Sequence, residues 1–171
     1  MLHKILYSNL IDGVIVASAQ ADDPMVEALS AGSLPFILVG RHPAIQQVNY
    51  IDIDNMNSAR EMVMHLLRQG RKRVATITGP RSMIPGYDRL EGYLAALRDR
   101  GLTADPNLIV ESDFSEEGGR AAMQRLLAHA PDAVFAASDM MAVGALRALR
   151  EAGKHVPEDV AVAGFDDMPF A

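Results

Sequence analysis

The side chains best suited to chemistry in this chain are oxygen acceptors accompanied by one arginine and one aromatic ring. They follow short apolar runs: Ser18, Arg41, Asp52 and Asp54 in the first half, then Gly79, Asp113-Phe114, Ser138-Asp139 and Asp166-Asp167. Arg89 opens the helix expected after Gly79. Carboxylates and hydroxyls accept hydrogen bonds, a guanidinium donates a fork, and a ring stacks on an apolar face. Together these are the ingredients of a polyol site. Each also has a plainer reading: Asp139 as a helix cap, Asp52 facing solvent, Arg89 exposed in a first turn.

Other chemistries lack their residues. The loop Gly79–Gly86 follows a strand and precedes a helix, but carries neither Gly-Lys-Ser/Thr nor G-x-G-x-x-G, which argues against a nucleotide cofactor. The five histidines (His3, His42, His65, His129, His155) share no H-x-x-x-H spacing and there is no cysteine, so no metal site is expected. No Gly-x-Ser-x-Gly elbow is present and Ser138 has no local base. The expectation is a binding protein with no catalytic residue, no metal and no cofactor. His65 reads as a partnered or interface residue, and the ten methionines as adaptable filler.

The elements that must position these residues alternate regularly. Continuous apolar runs at 13–17, 36–39, 74–78, 133–137 and 160–163 read as strands buried on both faces, with weaker strands at 50–53 and 108–110. Between them lie helices. Asp23-Pro24 supplies a cap and an N1 proline. Helices are expected over 57–69, 115–129 and 140–152, the last capped by Asp139. Another carries Leu90, Tyr93, Leu94 and Leu97 on one face. Gly32, Gly70, Gly101 and Gly153 fit left-handed positions past helix ends. This is βαβ repetition, hence α/β with parallel, doubly wound sheets. Ligands of such sheets bind beyond the carboxyl ends of the strands, where the polar residues fall. Arg71-Lys72-Arg73 reads either as a hinge between lobes or as a solvated approach to a strand.

Length and composition set outer limits. The 171 residues are 49% apolar, too apolar for disorder, and no apolar run approaches the ~20 residues that span a bilayer. The net charge of −6 argues against a broad face gripping DNA phosphates. No secretion signal is read at the start. The expectation is a soluble, cytoplasmic, small-molecule-binding chain.

Several segments together resemble the lactose/galactose-repressor family. They are Asp12–Val16, Leu34–Arg41, His65–Ala75 followed by Gly79, Arg89–Tyr93 with Ala96-Leu97, Ser138–Ala145, Val156–Val160 and Gly164–Asp167. The resemblance implies a two-lobed, periplasmic-binding-protein-like effector domain, with 1–70 in an incomplete N-terminal lobe and 71–171 in the C-terminal lobe. It implies truncation at both ends. It also implies a sugar-type effector held by Asp54, Arg89, Phe114, Ser138 and Asp166, with Ser138 replacing the Asn or Asp often found there. Operator DNA would be gripped only by a helix-turn-helix head outside this chain. The domain would work as a homodimer, away from membranes. Alternatives are a transporter's periplasmic sugar-binding protein and, from a different class, a doubly wound enzyme.

Overall fold

The computed structural model describes residues 11–17, 20, 23–42 and 48–169. Contacts divide the chain into two units: residues up to Ile53 with Ser82–Pro85, and Asp54–Arg81 with the remainder from Gly86.

The smaller unit is a parallel three-stranded sheet in the order β1 (Val14–Val16), β2 (Phe36–Val39), β3 (Tyr50–Ile51). Helix α1 (Pro24–Ser30) begins where Asp23 accepts the Met25 N–H and Pro24 occupies the first turn, as expected. Val16, Val26, Leu29 and Leu38 form its buried core. Gly32 follows α1 without adopting positive φ; the left-handed glycine of this unit is Gly40, at φ 97°.

The larger unit carries β4 (Val74–Thr78), β5 (Ile109–Glu111), β6 (Ala133–Ala136) and β7 (Ala161–Ala163), all parallel, in the order β5-β4-β6-β7. Because successive strand residues point to opposite faces, each central strand feeds two cores. Ala75, Ile77, Val134 and Ala136 pack with α4 (Glu116–Leu127) and α5 (Asp139–Glu151). Val74, Ala133, Phe135 and Ala161 pack with α2 (Asn55–Arg68) and α3 (Ile84–Asp99). In this unit continuous apolar strands mark a sheet covered twice; in the smaller unit the same expectation fails for β1 and β2, where Ile15 and Val39 are exposed. Helix α2 contributes Ala59, Val63, Leu66 and Leu67 to this core, so packing divides the chain at 53/54. The lobe boundary that the resemblance implies, at 70/71, lies beyond α2 instead.

Local details differ from expectation at several helix starts. Asp54 caps α2, which begins two residues before the expected Asn57. Ser138, not Asp139, caps α5: its backbone is extended and its hydroxyl accepts the Met141 N–H. Asp139 is instead the first helical residue. Gly70, Gly101 and Gly153 do adopt positive φ after their helices. The Arg71–Arg73 run serves as a clamp at the amino end of the sheet. Arg71 donates to the carbonyls of Pro157 and Asp132, Arg73 to that of His129, and the Asp132 carboxylate accepts the N–H groups of Lys72 and Arg73.

Tyr93 is fully buried and donates to the Val74 carbonyl at 2.9 Å; burial, aided by the Asp105 charge, pushes its hydroxyl pKa up to about 12. Helices α4 and α5 touch backbone to backbone, since a Cβ on Gly119 would overlap Met141 and one on Gly144 would overlap Glu116. Gly144→Val is therefore expected to cost about 1–3 kcal/mol through overpacking. A denaturant melt of the variant that matches the parent contradicts this packing.

Candidate functional site

Strand order decides where the larger unit can hold a ligand. From β4 the chain leaves through Gly79 towards α3 on one face; from β6 it leaves through Ser138 towards α5 on the other. Adjacent strands whose crossovers diverge leave a crevice at their carboxyl ends. All five residues implied to hold an effector, Asp54, Arg89, Phe114, Ser138 and Asp166, belong to this unit.

Arg89 is the best-held of them. Helix α3 starts at Ile84, so Arg89 lies in its second turn rather than opening it, and it is 7% exposed. The reading as a solvated first-turn side chain fails on that burial. Its Nε donates to Asn55 Oδ1 at 2.8 Å and its Nη1 to the Ala137 carbonyl at 2.6 Å. Nη1 also lies 3.3 Å from Asp166 Oδ1, and the guanidinium carbon sits 3.7 Å from the centre of the Phe165 ring. A buried guanidinium demands such partners, because its desolvation is otherwise uncompensated.

Asp166 and Asp167 follow β7 with φ of 108° and 60°, and Phe114 follows β5 with φ 67°. Non-glycine residues in this region carry strain, and strain persists where the surroundings hold it. Burial raises the Asp166 carboxyl above the usual range; the Arg89 charge opposes the rise and the Asp139 charge adds to it. Ser138 is buried and spends its hydroxyl on the α5 cap at 3.3 Å. Asp139 is buried beside it and accepts the Met168 N–H at 2.8 Å, which ties the segment after β7 to the start of α5. The Phe114 ring lies on Gly79, where any Cβ would collide with it. Asp54 is exposed; the side-chain amide and backbone N–H of Asn57 hold its carboxyl below the ordinary range.

The structure thus joins Arg89 directly to Asp166, and to Asn55 and Ala137, the immediate neighbours of Asp54 and Ser138. Phe114 is placed separately, by Gly79. Asn55 and Phe165 are not among the expected residues, although Asn55 directly follows Asp54 and Phe165 precedes Asp166 within Gly164–Asp167, a segment that carries the resemblance. Of the other rim residues, Asp52 accepts the N–H groups of Arg41 and Ile53 in the smaller unit. Ser18 lies outside the described residues. His65 is exposed and meets Gln69 at 2.9 Å, in keeping with its partnered reading. Among the described residues no group of three His, Asp or Glu side chains is placed to hold a metal ion.

Two outcomes follow from this geometry. A carboxyl whose pKa is raised on folding binds its proton more tightly in the native state, so its contribution to stability falls as pH rises from below the ordinary value through the raised one. The stability of the parent relative to Asp166→Asn should therefore decline with pH over that acidic window, as followed by urea melts; a difference that rises with pH contradicts it. Gly79→Ala should lift the Phe114 ring from the strand end, and unchanged ring-to-Gly79 amide proximities by NMR would refute that.

The periplasmic-binding-protein-like domain matches residues 63–171. The regulator CelR of Thermobifida fusca is 45% identical over 165 residues, covering 94% of this chain and 48% of its own length. The repressor CytR of Escherichia coli K12 is 35% identical, covering 96% and 49%. A solved CelR–cellobiose complex superposes with a TM-score of 0.92 at 44% identity, over 97% of this chain and 52% of that one. A LacI-family regulator from Chloroflexus aggregans superposes at 0.90 with 32% identity, over 98% and 61%. The chain spans about half the length of the curated relatives it matches. Fold, ordered segments and similarity agree: the chain belongs to the periplasmic-binding-protein-like domain family, in the branch carried by LacI-family transcriptional regulators.

Proposed function

We propose that this chain is the effector-binding part of a sugar-responsive transcriptional regulator and that the crevice of the larger unit receives the effector. One observation carries the reading: the buried Arg89 guanidinium, paired with Asp166 at the carboxyl ends of the strands. A fixed fork beside a carboxylate supplies both a donor and an acceptor to neighbouring hydroxyls of one sugar ring. Phe114, and Asp54 held ionised by Asn57, extend the same chemistry. Ser138 contributes mainly by starting α5, since its hydroxyl accepts the Met141 N–H. The relative solved with cellobiose supports a β-linked disaccharide as the first candidate.

In the whole regulator, the effector acts by binding one arrangement of the lobes better than another. Residues 1–70 and 71–171 contribute to those two lobes, a homodimer presents them, and a helix-turn-helix head outside this chain contacts operator DNA. The protein works in the cytoplasm and performs no catalysis. No described helix is long and apolar enough to cross a membrane.

Calorimetric titration of the full-length regulator with cellobiose, other sugars, sugar phosphates and purines tests the proposal. A sugar is expected to bind, and Arg89→Ala and Asp166→Ala each to weaken it by about 100-fold or more. Unchanged affinity in both variants overturns the site, and binding of purines alone overturns the effector class.

A further inference from the structure

Arg89 needs more than a counterion to be useful, and Asn55 contributes to its placement through Nε. A guanidinium is planar, so its orientation is defined by its plane and by two fixed points within that plane. The Phe165 ring, 3.7 Å away, sets the plane. Ala137 and Asp166 both act on Nη1, which gives one of those points. Asn55 acts on Nε at 2.8 Å and supplies the second point. Because Nε carries only a donor hydrogen, the atom facing it must be the amide oxygen, which also fixes which way the Asn55 amide is turned.

Asn55 is itself placed by the fold. It is the first residue of α2, set there by the Asp54 cap, and it is 3% exposed. Removing its oxygen takes away the acceptor that holds a buried Nε–H which water does not readily reach. Helix α2 carries Asn55 and helix α3 carries Arg89, so the contact also ties the starts of two helices on one face of the sheet.

We infer that Asn55 is a positioning residue: by holding Nε it fixes the direction in which Arg89 presents its fork, and so sets affinity for a hydroxyl-rich effector, an inference that rests on the reading of this crevice as a sugar site. The contact differs from general packing in being specific to one nitrogen, and an aspartate at the same position preserves the acceptor while an alanine does not.

The test uses the full-length protein with Asn55→Ala and Asn55→Asp, at a temperature where melting curves show both folded. In the ligand-free protein the Arg89 Nε–H resonance is expected to be slowly exchanging in the parent and in Asn55→Asp, and fast-exchanging or shifted in Asn55→Ala. With cellobiose as the titrant, Asn55→Ala should bind roughly tenfold or more weakly and Asn55→Asp should recover most of that loss. An Nε–H resonance unaltered in Asn55→Ala overturns the positioning role. So does a lost resonance with unchanged cellobiose affinity, or an equal loss of affinity in both variants. A parent protein that binds no sugar overturns the sugar reading and with it the claimed effect on affinity. The Nε–H comparison needs no ligand and separates that failure from a failure of the Asn55 contact.

Discussion

A guanidinium placed in the interior of a protein imposes conditions on everything around it. Its charge has left water, so acceptors and a counterion must be supplied from fixed positions. In this chain those positions come from three different elements: the start of α2 through Asn55, the end of β6 through the Ala137 carbonyl, and the segment after β7 through Phe165 and Asp166, all meeting Arg89 on a fourth, α3. Ordinary core packing requires only that apolar volumes fit, and many side chains satisfy that. The Arg89 cluster requires particular atoms at hydrogen-bond distance, and it therefore ties helix starts and strand ends into one geometry.

The sheet makes that convergence possible. With strand order β5-β4-β6-β7, the chain first builds outward on one side of β4 and then returns to build on the other. Helices go to opposite faces from the neighbouring strands β4 and β6, so their loops part at the carboxyl ends. Of the four described non-glycine residues with positive φ, all but Ala130 lie at this rim. Phe114, Asp166 and Asp167 all hold positive φ there, in the unit whose sheet is covered on both faces. A rigid double-sided core is what allows such backbone to persist. The glycines serve the same end by permitting contact: Gly79 admits the Phe114 ring, while Gly119 and Gly144 let α4 and α5 meet backbone to backbone.

The site also illustrates how capping and recognition share residues. Asp54 and Ser138, both implied by resemblance to hold an effector, each start a helix. A cap positions its neighbour as well as satisfying an N–H. Asp54 puts Asn55 at the first helical position, and Ser138 puts Asp139 where its carboxylate accepts the Met168 N–H. The loop that bears Asp166 is therefore anchored by the residue that sequence reasoning took for the α5 cap.

The sequence by itself determined the class of fold, the order of its strands along the chain and the rim on which polar residues fall. Periodicity and short-range signals are enough for that: a run such as Val74–Thr78 is apolar throughout because both faces are buried, and Asp23-Pro24 starts a helix by its own geometry. Ordered segments carried the family. Tertiary structure alone decided which side chains meet. Asn55 and Arg89 are 34 positions apart, and Arg89 and Ala137 are 48 apart; no local pattern encodes contacts made through a sheet that itself forms only on folding. It also decided the burial of Arg89, since a single arginine in an amphipathic helix reads equally well as solvated or enclosed until the neighbouring α2 and β6 are in place. The same holds for the Ser138 and Asp139 pair: either oxygen suits a cap, and the Met168 N–H, 29 residues from Asp139, claims that carboxylate and leaves the cap to the serine.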